Sequence, residues 1–81
     1  MLSNLKDMNI CIGIKQSRRA LEEGVVKKAF VAADADASVT RAFVADCKAL
    51  GVELETVETM AALGRSAGID IGATVVTVLA Q

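Results

Sequence analysis

Apolar and polar positions change period several times along the chain, and each change marks an element. Residues 9–12 (Asn-Ile-Cys-Ile) are a short apolar run ending at Gly13, which predicts a strand. Beyond it Lys15, Arg18, Arg19 and Glu22 recur three or four residues apart, with Ser17, Ala20 and Leu21 between them. That spacing predicts a helix with a charged outer face and a small, apolar inner one, stopping at Gly24. Residues 28–33 (Lys-Ala-Phe-Val-Ala-Ala) read as a buried strand, and residues 34–38 as a polar connection rich in helix-capping side chains. Val39, Phe43, Cys47 and Leu50 form an apolar stripe that predicts a helix over 39–50, with Gly51 as its stop. Residues 52–57 alternate with period two, as a half-buried strand does. Thr59 can cap a short helix carrying Met60 and Leu63, with residues 64–68 as its end and the following loop. Residues 74–79 are a β-branched final strand, and residues 2–8 admit one more short helix. Strands alternating with helices over short connections predict an α/β domain with helices on both faces of a small sheet.

The 81 residues are expected to form a single domain, residues 1–81. A chain of this length buries roughly 60% of its unfolded surface, enough to fold alone. The chain has no His, Trp or Tyr, and its aromatic side chains are Phe30 and Phe43. Without His there is no Ser-His-Asp or Cys-His machinery and no imidazole metal ligand. Without exposed aromatics there is no stacking platform of the kind single-strand binders use. Cys11 and Cys47 lie in apolar contexts and read as reduced thiols. The first residues lack a signal pattern, and the apolar run near the end is too short for a membrane span, so a cytoplasmic protein is expected.

Net charge is −1, but it is unevenly placed. Residues 1–28 hold Lys6, Lys15, Arg18, Arg19, Lys27 and Lys28 against Asp7, Glu22 and Glu23, whereas the rest of the chain is acidic. A basic zone on an acidic body can steer a polyanion although the total charge cannot.

The most informative segment is Gly13-Ile14-Lys15-Gln16-Ser17-Arg18-Arg19. A strand that ends at glycine and enters a helix leaves backbone N–H groups unpaired at the positive end of the helix dipole. Those donors suit a phosphate or a base edge. Lys15 and Arg19 stand one turn apart and can flank the site with charge. Gln16 both donates and accepts, so it can read a base edge that charge alone cannot. Charge and spacing fit an ordinary solvated amphipathic helix equally well.

This segment resembles the Gly-x-Asn-Glu-x-x-Lys signature of the kink-turn RNA-binding ribosomal proteins, the L-seven-Ae and L-thirty-e type. It is most similar to the small bacterial members, in which Gly-x-Lys-Gln stands in that place. The resemblance continues through residues 31–36 and 57–69, the latter containing Leu63-Gly64-Arg65-Ser66-Ala67-Gly68, and so covers nearly the whole chain. It implies a three-layer α/β/α sandwich with a mixed sheet of about four strands. It also implies a non-enzymatic protein without cofactor, membrane or small-molecule substrate, expected as a monomer. Its implied partner is sharply bent RNA with tandem sheared G·A pairs, in ribosomal or other structured RNA. By position, Gly13, Ile14, Lys15, Gln16, Arg18 and Arg19 inherit the contact with the G·A pairs. Leu63, Arg65 and the loop Ile69, Asp70, Ile71, Gly72 and Ala73 inherit a second contact, where the loop packs on a flipped-out base. The chain differs from the archaeal pattern in Lys15-Gln16 for Asn-Glu, and in Asp70-Ile71-Gly72 where that loop carries Arg-Pro.

Other patterns carry less. Residues 64–68 also fit Gly-x-Ser-x-Gly, but the strand before the serine and the histidine base are both missing. Asp34 and Asp36 fall short of the about six oxygens that calcium takes, and read as capping residues. Two rivals remain to RNA binding: a protein–protein module on the same fold, favoured by the acidic body, and a small enzyme or nucleotide-binding domain, disfavoured by the missing phosphate loop.

Overall fold

The computed structural model describes residues 5–80. Strands β1 (Ile10–Ile12), β2 (Val26–Ala32), β3 (Glu53–Val57) and β4 (Val75–Leu79) form one sheet in the order β1-β4-β2-β3. β4 runs antiparallel to both its neighbours, while β2 and β3 are parallel. Helices α1 (Ile14–Glu22) and α2 (Ala37–Ala49) pack on one face; α3 (Met60–Ser66) and a 3-10 turn at Leu5–Asp7 pack on the other. This is the expected three-layer α/β/α sandwich with a mixed four-stranded sheet. No helix among the described residues is long and apolar enough to cross a membrane.

The sheet has a separate core on each side because side chains alternate along its inner strands. Ala29, Val31 and Val75 join Leu21 of α1 and Phe43 and Cys47 of α2. Phe30, Ala32, Val76 and Val78 join Leu5, Val57, Leu63 and Ala67 on the opposite side. β4 is covered on both faces, which fits its unbroken run of β-branched residues from Val75 to Val78. Phe43 and Leu63 have no exposed surface, so truncating either to Ala should cost about 2–5 kcal/mol.

A small polar chain sits within this packing. The hydroxyl of Thr77 donates to that of Ser17 at 3.2 Å, both fully buried, and Ser17 is directed at the carbonyl of Cys11 at 3.5 Å. The pair ties α1 to the sheet at one register. Ser17 therefore belongs to the inner side of α1 together with Ala20 and Leu21, as the spacing predicts.

β3 is one of the two edge strands; Glu53, Glu55 and Thr56 are exposed on it, Leu54 is half-buried and Val57 is buried. Its carboxylates are not simply solvated: Lys28 of β2 reaches Glu55 at 2.9 Å and Glu53 at 3.4 Å. The hydrogen bond from Lys28 to Glu55, then Glu53, raises the lysine pKa above its usual value. The ammonium also stands 5.1 Å from the centre of the Phe30 ring. Charges on an edge strand discourage pairing with a second sheet.

Several boundaries differ from the sequence reading. β2 begins at Val26, because its ladder with β4 continues past a bulge between Val26 and Lys28. α2 begins at Ala37, because the Asp36 carboxylate caps it, accepting from the Ser38 amide at 3.0 Å and the Ser38 hydroxyl at 2.9 Å. The buried face of α2 is Thr40, Phe43 and Cys47; Val39 and Leu50, expected in the stripe, are 45% and 59% exposed. Val39 lies at the flank of that face, and Leu50 lies past the last turn as the C-cap. α3 continues through Gly64 to Ser66, where the sequence predicts the helix end. Of the further helix expected over 2–8, residues 2–4 lie outside the described residues and Leu5–Asp7 form the 3-10 turn. Cys11 is half-buried, and burial raises the thiol pKa of the fully enclosed Cys47.

Ser17→Ala should destabilise the fold by about 1–3 kcal/mol, since the Thr77 hydroxyl then lies buried without a partner. Adding Thr77→Val should recover most of that loss in urea denaturation; two independent, additive losses would rule out the pairing. The bonds from Ser38 hold the Asp36 carboxyl below its usual pKa. Stability from a depressed carboxyl is present above the unfolded pKa and lost as pH falls through the folded one. Asp36→Asn keeps an oxygen acceptor that does not titrate, so it should lose less stability than the parent between about pH 5 and pH 2.

Candidate functional site

β1, β2 and β3 all point the same way, so the three helices that follow them start at one end of the sheet. Two of those starts are closed. Asp36 caps α2, and the Thr59 hydroxyl caps α3 by accepting from the Ala62 amide at 3.0 Å. The carboxylate of Asp34 also accepts from the Met60 amide at 2.7 Å. The start of α1 is open. Its N-cap is Gly13, and among the described residues no side chain caps it.

Gly13 has φ 97° and ψ 161°, a conformation essentially restricted to glycine. Its own amide donates to the carbonyl of Val75 at 2.9 Å, and its carbonyl accepts from Ser17 at 3.0 Å. The amides of Ile14, Lys15 and Gln16 therefore precede the first intrahelical bond and have no acceptor within the helix. Gly13 and Ile14 are half-buried, whereas Lys15, Gln16, Arg18 and Arg19 are exposed. Lys15, Gln16 and Arg19 line a shallow concavity of about 250 Å³, and Ile14, Lys15, Arg18, Arg19 and Glu22 line a second one beside it along α1.

Ion pairs redistribute the basic zone counted in the sequence. Arg18 binds Asp46 of α2 at 3.3 Å, and Lys28 is held by Glu53 and Glu55. Among the described residues, Lys15 and Arg19 have no carboxylate within 4 Å. These are the two cations beside the open amides.

The second expected segment reaches the same end of the sheet. Residues 69–73 lead directly into β4, where the Thr74 carbonyl accepts from Ala32 at 2.9 Å and the next carbonyl, Val75, accepts from Gly13. The loop rests on α3. The Ala73 amide donates to the Met60 carbonyl at 3.0 Å, Gly72 lies against Met60, and the Ile71 carbonyl lies against Gly64. A Cβ on Gly64 would collide with that carbonyl, which explains a glycine inside a helix. Asp70, Ile71 and Gly72 are exposed, Ile71 to 73% of its surface; Arg65 is exposed on α3, and Ile69 is half-buried.

Two expected contact residues require correction. Leu63 has no exposed surface and Ala73 only 4%, so neither presents a side chain to a ligand. Leu63 fills the core beneath the loop, and Ala73 anchors the loop through its amide. Local sequence reading also missed the partner of Asp34, which lies on another element. Among the described residues no group of three or more His, Cys, Asp or Glu could hold a metal ion. Ser66 ends a helix instead of occupying a strand-to-helix turn, so the Gly-x-Ser-x-Gly pattern has no nucleophile geometry.

Residues 2–81 match the ribosomal protein L7Ae/L30e/S12e/Gadd45 family. The chain belongs to this family. An RNA-binding protein of Bacillus pumilus is 37% identical over 71 residues, covering 88% of this chain and 87% of that one. The RNA-binding protein YbxF of Geobacillus stearothermophilus is 37% identical over 70 residues, covering 86% and 85%. Among solved structures, the 15.5kD RNA binding protein of Giardia lamblia superimposes with a TM-score of 0.90 at 21% identity, covering 99% of this chain and 71% of that one. A Bacillus halodurans protein of unknown function gives 0.84 at 21% identity, covering 96% and 80%. At such identities the structural likeness concerns the fold. The L7Ae/L30e/S12e/Gadd45 family is non-enzymatic, which agrees with the reading of this chain from its sequence.

Gly64→Ala should destabilise the protein by about 1–3 kcal/mol and displace the 69–73 loop, because the new methyl meets backbone. Thermal unfolding and amide chemical shifts check this. Unchanged shifts at Ile71 and Gly72 would mean that the loop does not rest on α3.

Proposed function

We propose that this protein binds RNA and recognises the kink-turn, a sharply bent duplex with tandem sheared G·A pairs. The observation that carries the reading is the open start of α1: unpaired amides, Gln16, and the unengaged cations Lys15 and Arg19 around one concavity. Family membership supports it, as do relatives that bear the name RNA-binding protein.

In this reading the amides of residues 14–16 and the positive helix end face the groove at the G·A pairs. Gln16 supplies the paired donor and acceptor that read a base edge, and Lys15 and Arg19 flank it with charge for phosphates. The contact surface includes Gly13, which shapes the turn, and the exposed parts of Arg18 and Arg65. Ile71, mostly exposed between Asp70 and Gly72, offers an apolar surface to an unstacked base. Ile69, Asp70 and Gly72 shape that loop. A protein that binds only the bent conformer shifts the RNA toward it by differential affinity. The role is architectural, for a monomer on ribosomal or other structured RNA in the cytoplasm.

A kink-turn duplex should bind more tightly than a straight duplex of equal length, and binding should weaken with salt by about 0.7–0.9 log units per log unit for each phosphate contacted. Equal affinity for both duplexes would reject kink recognition and favour a protein–protein module. Gln16→Ala should cost about 1–3 kcal/mol of binding if it reads a base edge. Arg41→Ala, on the exposed side of α2, should change little. Were Arg41 the more damaging of the two, the site would lie elsewhere.

A further inference from the structure

We propose that Asp34 is a positioning residue that sets the 69–73 loop through the first residue of α3. Its consequence for RNA rests on the function proposed above; its mechanism is a property of the free protein.

Asp34 lies on the connection between β2 and α2, yet it takes no part in capping α2, which Asp36 does. Its Oδ1 instead accepts from the Met60 amide at 2.7 Å. A bond from an amide to a carboxylate is charge-assisted and stronger than a neutral one. Thr59 already fills the cap position of α3 through Ala62, so Asp34 adds a second acceptor from a different element. α3 has seven residues, too few to form as an isolated helix, so it depends on its packing and on contacts at its ends.

Met60 then acts as the junction. Its amide is held by Asp34, its carbonyl accepts from Ala73 at 3.0 Å, and its Cβ lies where a Cβ on Gly72 would come within 3.0 Å. One residue thus links the Asp34 turn to the loop that presents Ile71. The chain of contacts runs through backbone groups, so a displaced Met60 displaces Gly72 and Ala73 with it.

The charge of Asp34 strengthens the inference. The carboxylate is exposed at the end of the sheet where α1 opens, and there it repels a polyanion. Repulsion and positioning predict opposite outcomes for one substitution. If Asp34 acted only by its charge, removing the side chain would tighten RNA binding. If it acts through Met60, removal loosens binding, while exchange for an amide keeps the oxygen and discards the charge.

The test uses the full chain with a kink-turn duplex and a straight duplex. Asp34→Ala should weaken kink-turn binding by up to about fivefold, the factor reached if all the stabilisation of a helix-start acceptor is lost from the bound loop. Asp34→Asn, which keeps an oxygen acceptor in a weaker neutral bond and discards the repelling charge, should bind more tightly than Asp34→Ala. In an Ile71→Ala background, Asp34→Ala should cause no further loss, because its effect passes through the loop. Without RNA, amide exchange at Ala73, whose N–H is bonded to the Met60 carbonyl, should accelerate in Asp34→Ala and less so in Asp34→Asn. Asp34→Ser, too short to span to Met60, carries the same expectation should the alanine variant fold poorly. Tighter binding by Asp34→Ala, an undiminished loss in the Ile71→Ala background, or unchanged exchange at Ala73 would overturn the proposal. If the parent does not prefer the kink-turn, the RNA reading falls, and the exchange rates still decide whether Asp34 holds the loop.

Discussion

The amide of Gly13 donates to the carbonyl of Val75, and much of the candidate site depends on that bond. It fixes the point at which the chain leaves β1 and turns into α1. It also fixes that point relative to the loop that feeds β4, because Val75 is the first residue of that strand. One residue earlier, the Thr74 carbonyl holds Ala32 at the end of β2. The start of β4, one of the two inner strands, therefore gathers three connections into one surface. Only a residue without a Cβ adopts the Gly13 backbone without strain, and the outcome is a helix start that no side chain closes.

The electrostatic character of that surface comes from selection among the cations, not from their number. The chain carries nearly equal numbers of acidic and basic side chains. Two of the cations in its basic third are engaged by carboxylates, Arg18 by Asp46 and Lys28 by Glu53 and Glu55. Exposed pairs of this kind add little stability, generally under about 1 kcal/mol. Their larger effect is on the field, which they cancel along the α2 flank and at the β3 edge. What remains beside the open amides is Lys15, Arg19 and the uncharged Gln16. A surface so built favours a ligand that matches oriented donors over any polyanion, which suits an acidic protein with a specific anionic partner.

The opposite layer supplies rigidity. α3 is short, but it is wedged between the sheet and its own following loop. Leu63 is buried under it, Gly64 admits the Ile71 carbonyl, and Asp34 and Thr59 hold its first turn. Ile71 is therefore exposed on a supported loop. That combination reconciles a mostly exposed apolar side chain with a defined position.

The sequence by itself determined the order and type of the elements, because periods of two and of three to four residues are local signals. It also marked the open helix start, since glycine before a charged helix is a local feature, and the family resemblance pointed to the loop after α3. What it left undecided was set by contacts between distant segments. The stripe on α2 is centred on Phe43 and Cys47, with Val39 and Leu50 outside it, because the orientation of a helix depends on the sheet beneath it. Leu63 and Ala73 lie under the candidate surface and not on it, since burial is a property of the packed layers. Which cations remain unengaged, and that Asp34 serves a helix other than its neighbour, were likewise decided only in the tertiary structure. Charge and capping propensity can be read from one residue; the partner that satisfies it is chosen by whatever the fold brings within reach.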